Sequence, residues 1–229
     1  MSGDFDGGGP LIKLELPDAA ADRLRSLIVS GRLTPGRRLV ERQVAELLGI
    51  SRTPVREAFF RLVKEGLITN SAGRGLAVSE LTALEITGVY QAMAALERAA
   101  MLHSPQLTPQ ALAALEKADR LSLQAGNNID RVVEADVAWH RTITGSTTSQ
   151  RILELLGPLR RASERYERAF FATEGNHERS RKEHQAIRDA LAAGGSVRAA
   201  GLLEEHWLGS IEPMRQAIFS RGRAVGDAA

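Results

Sequence analysis

Asp136 and His140 stand four residues apart in Asp136-Val137-Ala138-Trp139-His140, so a helix there carries a carboxylate and an imidazole on one face. His184 follows 44 residues after His140 in Glu183-His184-Gln185-Ala186-Ile187, and His206 comes 22 residues later in Glu205-His206-Trp207-Leu208. Each of the three histidines is embedded among apolar neighbours. One carboxylate with three neutral imidazoles would make a ligand set for a first-row divalent cation. The same pattern also fits hydrogen-bonded histidines in a helical core, because spacing does not show that the segments meet. His103 and His177 fall near expected helix ends and stand outside the pattern.

A second constellation lies towards the N-terminus. Leu47-Leu48 closes an apolar segment, Gly49 offers a turn, and Ser51-Arg52-Thr53-Pro54-Val55-Arg56 opens a new helix. Two guanidiniums and two hydroxyls then occupy its first turns, where a recognition helix reaches base edges and phosphates in the major groove. Ala58, Leu62 and Val63 are its expected inward positions, and Pro54 suits a first turn that needs no N–H there. The competing reading is an ordinary amphipathic surface helix with solvated arginines. Charge favours the first. Residues 35–78 carry eight Lys or Arg against four Asp or Glu, whereas residues 81–229 carry 18 of each. A local cationic excess draws a polyanion.

The elements that must hold these groups are mostly helical. A short arm or edge strand over Leu11 to Leu16 is followed by a helix through Ser30, with Asp18 as its expected cap. Leu39-Val40 is brief and extended; Glu41 to Leu48 and Thr53 to Glu65 are the expected helices of a helix-turn-helix, stopped at Gly66. Leu67-Ile68-Thr69 and Leu76-Ala77-Val78 read as strands joined at a hairpin tip, Ser71-Ala72-Gly73-Arg74-Gly75. That hairpin is a wing, with Arg74 set for a minor groove or a phosphate. Beyond Ser79, helices are expected over 82–103, 108–125, 129–146, 149–172, 177–193 and 196–221, with Thr82 and Thr108 as caps and Pro158 inside the fourth.

The expected fold class is therefore mainly α: an N-terminal winged helix-turn-helix and a C-terminal antiparallel bundle of six to seven helices. Residues 1–10 read as a disordered glycine-rich leader, 11–80 as the winged helix, 81–222 as the helical domain and 223–229 as a disordered tail. The absence of cysteine excludes disulfides and thiolate metal sites. No apolar run approaches the ~18 residues of a membrane span, and the N-terminus lacks a basic, apolar signal start. A cytoplasmic protein without a membrane partner is expected.

Three stretches resemble the winged-helix half of the GntR family of bacterial transcription regulators: residues 31–39, residues 44–58 and residues 62–68. Coverage runs from residue 18 to 79, and the Ser51-Arg52-Thr53-Pro54-Val55-Arg56-Glu57-Ala58 run is highly specific. By position, the resemblance implies that Arg42 contacts phosphate or guanine and that Arg52 and Arg56 read guanine, as bidentate arginine geometry favours. It implies that Ser51 and Thr53 anchor phosphate or base edges, that Arg37 neighbours phosphate, and that Gly75 lets the wing approach the minor groove. It also implies a homodimer on palindromic double-stranded operator DNA.

Asp-x-x-x-His, then Glu-His-x-x-Ile, then a further histidine resembles the FCD-type effector domain of the family's FadR branch, over roughly residues 82–215. The resemblance implies that Asp136, His140, His184 and His206 bind one divalent cation, Zn²⁺ or Ni²⁺, with a small-molecule effector such as an organic acid at its open positions. Repression relieved by ligand is the arrangement it implies. This chain departs from the family where an arginine commonly precedes the first-helix glutamate: Met93 stands four residues before Glu97. Thr147-Thr148-Ser149 replaces the usual Ser-Gly-Asn. A missing arginine removes a bidentate carboxylate partner, which points to a less acidic or more apolar effector. Met93, Glu97 and Arg165 are the effector-contact candidates, with Arg98 and Arg161 as other cations in range. The runner-up function is a metal-dependent hydrolase or isomerase fused to a DNA-binding domain. A third is a bundle that uses metal for stability alone.

Overall fold

The computed structural model describes residues 15–71, 75–80, 82–104, 107–147 and 149–223. The expected leader over 1–10, Leu11 to Leu14 of the expected arm, Arg74, Thr148 and residues 224–229 of the expected tail lie outside the described residues. The chain forms two compact units, Met1–Glu80 and Leu81–Ala229.

The first unit holds α1 (Glu15–Val29), α2 (Glu41–Leu48), α3 (Arg52–Lys64), β1 (Ile68–Ser71) and β2 (Gly75–Val78). α1 starts three residues before Asp18, so Leu16 belongs to a helix rather than an arm. Pro17 falls in the first turn, where a helix needs no N–H, and the helix begins ahead of it. Asp18 is not a cap; its carboxylate pairs with Arg61 of α3. Arg25 forks onto Glu65, with Nε and Nη2 each 2.8 Å from a carboxylate oxygen, and ties α1 to the end of α3. Val55, Ala58, Phe59 and Leu62 form the buried stripe of α3 at helical spacing. Val63 lies one position beyond that stripe and is 37% exposed, so the expected inward place belongs to Phe59.

β1 and β2 pair antiparallel, from Ile68 opposite Val78 to Ser71 opposite Gly75. The extended segment at Leu39 joins them: its N–H donates to the Leu76 carbonyl at 2.8 Å, and Arg38 bridges Ala77. Gly75 opens β2 at φ +75°, a backbone state that favours glycine.

The second unit contains α4 (Ala83–Leu102), α5 (Pro109–Ala125), α6 (Ile129–Thr144), α7 (Gln150–Phe171), α8 (Asn176–Ala192), α9 (Ser196–Gly209) and α10 (Ile211–Arg223). Thr82 and Thr108 cap α4 and α5, accepting from Glu85 N–H at 3.1 Å and Ala111 N–H at 3.2 Å. α7 runs through Pro158 without interruption. The expected helix over 196–221 is two helices broken at Ser210. Pro213 offers no N–H to the Gly209 carbonyl, and its ring would crowd that group in a continuous helix. Ser210 Oγ donates to the His206 carbonyl instead, at 2.8 Å. α4 packs against α7 and α9, α5 against α6, and α8 against α9. Trp139, Tyr90, Tyr166, Ile86, Met93 and Ile143 are among the largest side chains sealed in their core. No helix among the described residues is long and apolar enough to cross a membrane.

Candidate metal centre and nucleic-acid interface

The three histidines that sequence spacing leaves unconnected converge inside the second unit. α6 supplies Asp136 and His140, α8 supplies His184 and α9 supplies His206, all buried. One nitrogen from each imidazole lies within 4.8 Å of the others. Asp136 stands beside two of them, Oδ2 at 3.8 Å from His140 Nε2 and Oδ1 at 3.7 Å from His184 Nε2. Trp139 stacks on His184, with centroids 3.8 Å apart and planes within 5°. That contact fixes the ring plane.

The opposite edges of two rings are held by carboxylates. His140 Nδ1 lies 2.8 Å from Glu97 Oε2, and His206 Nδ1 lies 2.7 Å from Glu183 Oε2. An ionised carboxylate only accepts, so each Nδ1 carries a proton and Nε2 is the ring edge left to face a cation. Glu97 is wholly buried, which by itself raises its pKa, but His140 and Arg160 outweigh burial and hold it at about 2. Arg160 donates to Glu97 Oε1 at 2.8 Å through Nη2, and Trp207 Nε1 donates to Oε2 at 2.8 Å. Glu183, half-buried, is likewise held low by His206 and Arg179 against the effect of burial. Burial and the two neighbouring imidazoles push His184 well below the usual histidine range, so it is neutral. Burial raises Asp136, offset in part by His140 and His206.

This arrangement fits a divalent cation. His140 Nε2 and His184 Nε2 are buried with no hydrogen-bond partner among the described residues. Buried polar atoms left without a partner are costly unless a cation or water satisfies them. A cation would also offset the buried charge of Asp136. Imidazole nitrogens with one carboxylate suit a first-row transition ion, and carboxylates behind the ligating rings are the usual means of orienting them.

A cavity of about 20 Å³ adjoins these ligands, with Tyr90, Asp136, Glu167, Ser180, His206 and Trp207 on its wall. A larger cavity of about 440 Å³, lined by Met101, Leu112, Ile143 and the α8–α9 turn, touches none of the four ligands. Of the effector-contact candidates, Met93 is fully buried in the apolar core, and neither it nor Arg165 lines the cavity beside the ligands. Glu97 is not on that wall either; both its oxygens are engaged behind His140. Arg165 is buried, and desolvation lowers its pKa. Arg98 pairs with Glu204 at 3.1 Å. The guanidinium that does reach the ligand network is Arg160, which sequence reasoning passed over, together with Glu183, Trp207 and Glu167. Helical phase along α7 does not reveal which arginine faces inward, and nothing in the sequence links Glu183 to His206 on another helix.

In the first unit, Gly49 ends α2 at φ +66° and sends the chain into α3. Ser51, Arg52, Thr53 and Arg56 are all exposed on the first turns of α3, while Pro54 and Val55 turn inward. Ser51 precedes the helix and makes no side-chain cap bond. Its hydroxyl and the first-turn N–H groups therefore form a ready anion site. Glu41, at the start of α2, gathers both arginines. It accepts Arg56 Nε at 2.8 Å and Nη2 at 3.0 Å, and Arg52 Nη2 at 3.2 Å. Arg56 first, then Arg52, holds the Glu41 carboxyl at about 2. Arg42 pairs with Glu46 at 2.7 Å, and Arg37 is exposed. The arginine side chains are 64% and 57% exposed, so solvent screens the pairs and they yield readily to a nucleic acid.

A winged helix-turn-helix carried on one chain with a helical domain marks a DNA-binding regulator. Residues 16–78 match the bacterial regulatory proteins of the gntR family, and residues 88–209 match the FCD domain. The chain belongs to the GntR family of transcription regulators, in the FadR-like branch that carries an FCD domain. It is 31% identical over 172 residues to the Nta operon transcriptional regulator of Aminobacter aminovorans, covering 72% of this chain and 79% of that one. A GntR transcriptional regulator from Rhodococcus sp. RHA1 has a similar structure, with a TM-score of 0.72 and 27% identity over 88% of this chain and 98% of its own. Escherichia coli McbR shares the fold at a TM-score of 0.74, with 23% identity over 89% of this chain and 98% of its own. These relatives are transcription regulators, not enzymes, and the hydrolase or isomerase reading gains no support from them.

The Glu97–His140 pair generates a direct expectation. Glu97→Gln leaves the side-chain shape but removes the charge that keeps His140 aimed, and should weaken Zn²⁺ binding about 10–100-fold. Competition of the protein with a chromophoric chelator measures this; unchanged affinity would refute the orienting role.

Proposed function

We propose that this regulator binds a palindromic operator as a homodimer and represses transcription, and that a small metabolite held at a divalent metal in the FCD domain controls that binding. The observation that carries the reading is the convergence of His140, His184 and His206 on one buried point with two orphaned Nε2 atoms beside Asp136. Zn²⁺ or Ni²⁺ suits that donor set. When bound, the ion supplies a Lewis-acidic anchor for a chelating ligand. Glu97 and Glu183 keep the rings protonated on Nδ1, and Trp139 holds the His184 plane. A ligand alters operator affinity only in so far as it favours one arrangement of the DNA-binding halves over another.

On the DNA side, Arg52 and Arg56 are the base-reading candidates, Ser51 and Thr53 the anchors at the helix start, and Arg37 and Arg42 the phosphate contacts. Gly75 supplies the wing's approach, and Arg74, outside the described residues, is the candidate for a minor-groove or phosphate contact. Arg52→Ala should lower affinity for an operator selected from a random DNA pool about 10–100-fold. Its melting curve should match the wild type, because the side chain is exposed. Retained affinity and sequence preference in a gel-shift assay would sink the assignment.

One observation favours a second reading, in which the metal serves stability alone: the cavity beside the ligands is only about 20 Å³. In that case chelation lowers the melting temperature while candidate metabolites leave operator affinity of the metal-loaded protein unchanged. Ligand-dependent release of DNA excludes it.

A further inference from the structure

Glu41 places a carboxylate among the arginines of the face proposed to bind DNA. It opens α2, and its side chain is 22% exposed. An acid there weakens the attraction of that face for any polyanion. Its contacts run to the two arginines of α3. Arg56 grips it side-on, with Nε donating to Oε1 at 2.8 Å and Nη2 to Oε2 at 3.0 Å. Arg52 reaches the same Oε2 through Nη2 alone, at 3.2 Å. These bonds, that of Arg56 first, hold the carboxyl at about 2, so Glu41 is ionised at neutral pH.

A guanidinium is planar and presents five N–H donors in a rigid fork. On Arg56 the Nε–Nη2 edge is taken by Glu41. The terminal edge, formed by Nη1 and the second Nη2 N–H, makes no hydrogen bond among the described residues. That end can span guanine O6 and N7 in a bidentate contact. The side chain is 57% exposed, so the end is open to a groove. Exposure also lets the pair break readily, but a guanine does not require it to break. A guanine edge offers neutral acceptors beside Glu41. A backbone phosphate in the same place is a second anion, which Glu41 repels.

We propose that Glu41 is a positioning residue for base reading: it aims the free end of Arg56 at guanine and keeps both arginines off backbone phosphate. It thereby raises the preference for operator over other DNA while lowering affinity for DNA at large. The proposal rests on the DNA reading above, in which Arg52 and Arg56 contact bases. Arg52, tied at one point, is the less constrained of the two.

Gel-shift titrations of the full-length protein test this with an operator selected from a random pool and a scrambled duplex of equal length. Glu41→Gln keeps the shape and removes the charge. It should tighten binding to the scrambled duplex and steepen its salt dependence by about one phosphate contact per protomer. The operator-to-scrambled ratio should fall about tenfold or more. Replacing operator guanines in turn by 7-deazaguanine deletes N7 alone. At one guanine, substituted in both half-sites, this should cost the wild type about tenfold and Glu41→Gln no more than about threefold. A ratio unchanged by Glu41→Gln, or equal 7-deazaguanine penalties in the two proteins, would overturn the proposal. Equal loss of affinity on both duplexes would make Glu41 a structural residue and overturn it too. A wild type with no operator preference, or with no N7-sensitive guanine, removes the arginine reading itself, a distinct failure.

Discussion

Glu97 carries a carboxylate into a part of the second unit that water does not reach, and the surrounding helices are arranged around keeping it ionised there. A charge in such a place is tolerated only when fully paired and hydrogen-bonded. Glu97 on α4 meets His140 from α6, Arg160 from α7 and Trp207 from α9. Arg160 also donates to the His140 carbonyl at 3.1 Å, so the same guanidinium holds both ends of the pair. Losing one member of a buried ionic set costs about 3–5 kcal/mol, because the survivor stays buried and unpaired. The fold therefore registers four helices against one another through one carboxylate, and the outcome of that registration is the direction of His140 Nε2. Glu183 repeats the device for His206 from the edge of the site, with Arg179 behind it at 2.8 Å.

The DNA-binding half is built on the opposite economy. Its arginines are solvated and weakly held, and their partner Glu41 is shared between them. Exposed pairs of this kind are screened by salt and break at little cost. They keep both side chains extended along the start of α3 until a stronger polyanion displaces or joins Glu41. Rigidity in this unit comes instead from the apolar stripe of Val55, Ala58, Phe59 and Leu62, and from Arg25 forked onto Glu65. Buried scaffold and the exposed face proposed to read DNA are thus separate faces of one helix, so substitutions on the exposed face leave the packed stripe intact.

Most of the architecture was legible in the sequence because it is written in local signals. α2 falls on its expected residues, Thr82 and Thr108 cap as their side chains suggest, and the wing forms between the two short β-rich runs. The misreadings were local too. Pro17 allows an earlier helix start than Asp18 suggested, Val63 is one step off the buried stripe, and Pro213 splits a helix that apolar periodicity alone would continue. The candidate site was legible only in its ligands. Pairings across helices have no sequence signal: Glu97 lies 43 residues from His140, Arg160 lies 63 from Glu97, and Glu183 lies 23 from His206. Met93, which the family pattern marks as unusual, proved to be a core side chain, while the distinctive polar group beside the ligands is Glu167.

The central claim is that Asp136, His140, His184 and His206 form one cation site. X-ray absorption at the zinc edge of the metal-loaded protein tests it most directly. The account predicts one ion per chain, with a first shell dominated by imidazole nitrogen and completed by oxygen at about 2.0–2.1 Å. A stoichiometry far below one, or a shell of oxygen without imidazole scattering, would contradict it.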